Sequence, residues 1–60
     1  MSKRQAQKLH NGDEVICKAD GEICQVLEYQ ETKTGNGSII VLTVLHPTDG
    51  LTHFPHTDVK

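Results

Sequence analysis

From residue 13 onward, apolar and polar positions follow a short period. Asp13-Glu14-Val15-Ile16-Cys17-Lys18 reads as a first strand. Ala19-Asp20-Gly21-Glu22 follows, and Asp-Gly between β-rich runs signals a hairpin. Ile23 to Glu31 reads as a second strand, and Lys33-Thr34-Gly35-Asn36-Gly37 is a turn. The third strand is the apolar run from Ser38 to Leu45 or His46. Pro47-Thr48-Asp49-Gly50 carries Pro and Gly at turn positions. Leu51-Thr52-His53-Phe54 is a short fourth strand that Pro55 ends. Residues 56–60 have room for one 3-10 turn and a short closing strand. No ten-residue segment of this body has a helical period. The expectation is an all-β meander, curled so that no face or edge stays bare.

The chain ahead of this body reads differently. Residues 1–9 are polar, without strand alternation. Gln5 to Leu9 has the composition of a transient helical turn with no face to bury. Asn11-Gly12 then marks a turn. This divides the chain into a flexible basic tail, residues 1–10, and a β domain, residues 11–60.

The third strand is apolar on both sides. Ile39, Val41 and Leu45 fall on one face, and Ile40, Leu42 and Val44 on the other. A small barrel needs one inward face, so the second calls for cover by a second copy or another protein. The candidate interaction surface is therefore Tyr29, Ile39, Ile40, Val41, Leu42, Val44 and Leu45. Its use lies along the outer side of the strand.

The hairpin at Asp20-Gly21 leaves its register open. A two-residue type I′ turn sets Cys17 opposite Cys24 and Val15 opposite Val26, near enough for a disulfide. A type I turn with Gly21 in a bulge sets Cys17 opposite Ile23 and Cys24 opposite Ile16. In either register the thiols also suit plain packing as small hydrophobes.

Composition sharpens this picture. The chain has 60 residues, 35% hydrophobic, with five Val and four Ile but one Phe, one Tyr and no Trp. β-Branched residues favour strands. So short a chain makes a thin aliphatic core. The formal charge of −2 conceals an asymmetry. Lys3, Arg4 and Lys8 give residues 1–10 a charge of +3, and the remainder carries −5. An acidic body repels phosphate backbones. Nucleic-acid association is thus the alternative function, with Lys3, Arg4 and Lys8 as phosphate contacts.

Gly12-Asp13-Glu14-Val15, a short turn with Gly21, and Val26-Leu27-Glu28 resemble the opening hairpin of small SH3-like barrels of the KOW and Tudor type. Asp49-Gly50 with Phe54-Pro55-His56-Thr57-Asp58-Val59 resembles their last hairpin, 3-10 turn and closing strand. The pattern is also similar to small bacterial SH3-like domains of unknown function. The resemblance covers residues 11–60. It implies a small SH3-like antiparallel barrel of four to five strands, with a short 3-10 turn near the C-terminus. Peptide-binding SH3 domains instead have a long loop after the first strand and a groove lined by Tyr and Trp, which this chain lacks.

Chemistry is sparse. The serines are Ser2 and Ser38, and neither lies in a nucleophile elbow. No glycine-rich loop leads into a helix. His53-x-x-His56 has a ligand-like interval, with His46 and the two cysteines as further donors. The cysteines are not a Cys-x-x-Cys knuckle, and Pro55 stiffens the interval. No catalytic residue, metal or cofactor is expected. Met1-Ser2-Lys3-Arg4 is not followed by an apolar signal core, and residues 39–45 are far too few to span a bilayer. The sequence points to a cytoplasmic, non-enzymatic protein-interaction or regulatory module with reduced thiols.

Overall fold

The computed structural model describes residues 1–60. Strands β1 (Glu14–Ile16), β2 (Ile23–Thr34), β3 (Gly37–His46) and β4 (Gly50–Pro55) form one antiparallel sheet in the order β1-β2-β3-β4. A four-residue helix, α1 (Lys3–Ala6), precedes them, and a 3-10 turn at His56–Asp58 follows. The β2–β3 hairpin is longer than the sequence suggests. Its pairing continues to Thr34 opposite Gly37, across Gly35-Asn36.

The C-terminus closes the curl. Cys17 and Val59 form an antiparallel bridge. Ile16 and Lys60 exchange backbone hydrogen bonds of 3.1 and 2.9 Å, and Lys18 N donates to Asp58 O at 3.0 Å. β1 thus has β2 on one side and residues 58–60 on the other. The result is a curled half-barrel, compatible with a small SH3-like barrel. Covering both edges of β1 protects the shortest strand from edge pairing.

Inside the curl lie Val15, Cys17, Cys24, Val26, Ile40, Leu42, Val44 and Val59, with Ala6 of α1. Met1, Leu9 and Phe54 pack around them. The N-terminal segment therefore departs from the expected flexible tail. Ala6 is fully buried, and the Met1 amino group donates to Val59 O at 2.8 Å. A capping box starts the helix: Ser2 Oγ accepts from Gln5 N at 3.1 Å, and Gln5 Oε1 accepts from Ser2 N at 3.0 Å. The helix stands only because it lies on the sheet, since one turn is unstable alone. A half-barrel leaves its interior open on one side, and α1 fills it.

The first hairpin takes neither expected register. Val15 lies opposite Cys24, and Ile16 opposite Ile23. The loop is Lys18 to Gly21, held by Gly21 N donating to Cys17 O at 2.8 Å and Cys17 N donating to Glu22 O at 2.9 Å. Gly21 reverses the chain at φ +75°, a conformation that suits glycine. Asp20 Oδ1 accepts from Glu22 N at 2.9 Å and fixes the turn. Both cysteines still face inward, but as diagonal neighbours rather than a directly opposed pair. Both are free thiols.

A β-bulge changes the second hairpin. Val26 pairs with Val44, but Glu28 pairs with Thr43. The extra residue, Leu27, reverses the faces of β2 beyond it. Tyr29 then lies opposite Leu42 and Glu31 opposite Ile40, on the concave side.

Candidate interaction surface

The seven residues of the candidate surface separate by burial. Ile40, Leu42 and Val44 are fully buried and belong to the core, so they are no part of any docking surface. Ile39 and Val41 are half-buried on the convex side, and Leu45 is exposed there. Tyr29 is exposed too, but the bulge sets it on the concave side with Leu42, away from Ile39 and Val41.

The convex face gains other residues in exchange. The large hydrophobics left exposed are Ile16, Ile23, Tyr29, Leu45 and Leu51. All four aliphatic ones share this face. Ile16 is opposite Ile23, and Leu45 is opposite both Gln25 and Leu51. Ile23 is a diagonal neighbour of Leu45, so these side chains form a band across four strands. Leu51 is 63% exposed. Ile16, Ile23 and Leu51 were legible as strand residues, but not as one patch. Their meeting depends on register.

A polar row crosses the same face. Glu28 lies opposite Thr43, which lies opposite His53. Thr43 Oγ1 and His53 Nδ1 are 3.0 Å apart. Leu45 and Leu51 flank this row on one side, and Val41 and Pro55 on the other. The strand positions of this face include Glu14 and Glu28 but no lysine or arginine.

The three cations expected to meet phosphate are placed unequally. Lys3 Nζ donates to Ser38 Oγ at 2.7 Å, and that hydroxyl donates to Glu31 Oε2 at 2.8 Å. Lys3 thereby links α1 to the β2–β3 hairpin. Arg4 and Lys8 are exposed.

Two histidines are buried, both as hydrogen-bond acceptors. His56 Nδ1 accepts from Ile40 N at 3.1 Å. His46 Nδ1 accepts from Thr48 N and Asp49 N, each at 3.1 Å, and its Nε2 is 2.8 Å from Asp20 Oδ2. With Nδ1 accepting, the proton sits on Nε2 and is donated to Asp20. Asp20 receives two donors, the Glu22 backbone N–H and then His46, which hold its carboxyl below the usual value. Burial pushes the Cys24 thiol upward.

His53 is exposed on the convex face while His56 is buried, so the His53-x-x-His56 interval brings no shared ion site together. No group of three His, Cys, Asp or Glu side chains converges with metal-binding geometry. No helix is long and apolar enough to cross a membrane. No protein family matches this chain, and no curated protein or solved structure is significantly similar to it.

Proposed function

We propose that this protein is a non-enzymatic interaction module that self-associates through the convex face of its sheet. The observation that carries this reading is the band formed by Ile16, Ile23, Leu45 and Leu51. Each of these aliphatic residues is at least 40% exposed, and half-buried Val41 and Ile39 lie on the same face of β3, beyond the polar row of Glu28, Thr43 and His53. A standard interface takes about 800 Å² from each partner. That is a fifth of this protomer's 3998 Å². Burial of aliphatic area is the driving force.

Charge supports a protein over a nucleic acid as the occupant. The β domain carries −5, and Lys3 is engaged with Ser38 beside Glu31. We further read the barrel as KOW or Tudor type. Gly21 and Gly50 occupy turns at positive φ where that pattern has glycine, and the 3-10 turn follows Pro55.

Sedimentation velocity across the micromolar range tests the proposal. The wild type should associate as concentration rises, with little dependence on salt. Leu45→Lys and Leu51→Lys should hold it monomeric while leaving the circular dichroism spectrum unchanged. A wild type that stays monomeric throughout overturns self-association.

A further inference from the structure

We infer that the outer edge of β2, from Tyr29 to Thr34, pairs antiparallel with the same edge of a second copy, Glu31 opposite the copy's Lys33. This contact lies outside the convex band and goes beyond the association proposed above. β1 runs beside β2 only from Ile23 to Gln25. Residues 11–13 then cover Val26 and Leu27: Gly12 N donates to Val26 O, Val26 N to Asp13 O, and Asn11 Nδ2 to Leu27 O. Beyond Leu27 no strand pairs with this side of β2. Every residue from Glu28 to Thr34 is exposed.

The direction of the free backbone groups follows from one bond. Ile40 N donates to His56 Nδ1, away from β2. Glu31 is opposite Ile40 in a pair that is therefore not hydrogen-bonded, so its own N–H and C=O point outward. Alternation gives the same direction to Tyr29 and Lys33. The N–H and C=O groups of all three line the edge without a partner in the chain. Such an edge is a template for another strand.

Charge names the occupant. Glu31 and Lys33 stand on the concave face with Tyr29. A lysine on an edge ordinarily discourages pairing. Here a carboxylate two residues earlier on the same face makes the edge complementary to itself. A two-fold axis perpendicular to the sheet sets Thr32 opposite Thr32 and Glu31 opposite Lys33, twice by symmetry. Each Glu31–Lys33 pair exchanges both main-chain hydrogen bonds. Gln30 then faces Thr34, and Tyr29 lies beside Gly35, which has no side chain to obstruct it. Sliding by one residue turns the free groups of one edge away from those of the other. Sliding by two sets Glu31 against Glu31 or Lys33 against Lys33, and like charges directly opposite are unfavourable. The pairing also ends short of residues 11–13. Main-chain bonds across this edge replace bonds to water, and little apolar area is buried. The contact is thus weaker than the convex band and joins molecules edge to edge only at higher concentration.

Disulfide trapping of the full chain tests this, because captured pairs accumulate even when a contact is weak. Thr32→Cys sets a thiol against its own counterpart, with α-carbons about 4.5 Å apart, within disulfide reach. Gln30→Cys lies about 13 Å from its counterpart along the strands and is the control. Under a mild oxidant Thr32→Cys should form linked dimers at least about tenfold faster than Gln30→Cys. Cys17 and Cys24 are buried and contribute none. The rate should persist when Leu45→Lys and Leu51→Lys are added. Adding Lys33→Glu or Glu31→Lys to Thr32→Cys should suppress trapping in each chain alone. Mixing those two chains places opposite charges at both pairs and should recover a linked heterodimer. Circular dichroism confirms that each variant is folded. Equal rates for Thr32→Cys and Gln30→Cys overturn edge pairing and leave convex association standing. Trapping that vanishes with Leu45→Lys and Leu51→Lys also overturns it, since the convex face then brings the thiols together. Trapping indifferent to both charge changes overturns the Glu31–Lys33 register. A wild type monomeric in sedimentation with trapping intact overturns convex association alone.

Discussion

Asp20 Oδ2 and His46 Nε2 are 2.8 Å apart, joining the first hairpin loop to the β3–β4 turn. On its other side the same ring accepts two backbone N–H groups, from Thr48 and Asp49. One side chain thus fixes two loops at one end of the sheet. His46 is only 4% exposed, so losing it leaves polar backbone groups without a partner. His46→Leu should cost about 1–3 kcal/mol in chemical denaturation.

Asp20 also sets an acid limb of stability. Its carboxyl is held below the ordinary value of 3.8. A depressed folded value contributes stability that is complete above the unfolded value. The contribution is lost as pH falls through the folded value. Melting temperature should therefore drop below about pH 4. Asp20→Asn should lower stability at neutral pH and flatten that acid limb. An acid limb of equal steepness in the variant would show that other carboxylates produce it.

The cysteines should behave as inert packing groups. Diagonal positions place α-carbons about 7–8 Å apart, beyond disulfide reach. A mild oxidant should leave two free thiols per native chain, counted by mass spectrometry. Alkylation at pH 8 should await unfolding, because burial pushes the Cys24 thiol upward. Val15 is directly opposite Cys24, so a Val15→Cys, Cys17→Ala variant tests the register itself. That pair should crosslink readily, and failure to do so would contradict the hairpin described above.

Two leucines on opposite faces of β3 should respond differently to truncation. Leu42 is fully buried and Leu45 is 47% exposed. Leu42→Ala should cost about 2–5 kcal/mol of folding stability. Leu45→Ala should change protomer stability by less than about 1 kcal/mol while weakening association.

The N-terminal segment should matter for folding. Removing residues 1–9 strips Met1, Ala6 and Leu9 from the core and should lower the melting temperature markedly. Ser2→Ala should cost about 0.5–2 kcal/mol through the lost cap. An unchanged melting temperature in both variants would mean that α1 packs without stabilising the fold.

β-Branched composition and turn chemistry by themselves determined the strands. Runs separated by Asp-Gly, Gly-Asn-Gly and Pro-Thr-Asp-Gly leave few other foldings, whereas a shared inward face for Val15, Cys17, Cys24 and Val26 followed from only one of the two registers the sequence left open. The capping box of Ser2 and Gln5 did not stand out in the sequence, because no apolar run follows it and its one buried side chain, Ala6, is small. Tertiary structure alone decided three things. The Asp20-Gly21 hairpin took a four-residue loop, because Asp20 turns back to Glu22 and His46 and so shifts every pairing by a step. The bulge at Leu27 carries no glycine or proline to announce it, yet it reverses the faces of β2 and takes Tyr29 from the candidate surface. Assembly of Ile16, Ile23, Leu45 and Leu51 into one band depends on both registers together. Local sequence sets which residues alternate, whereas the meeting of side chains from four strands is a property of long-range pairing.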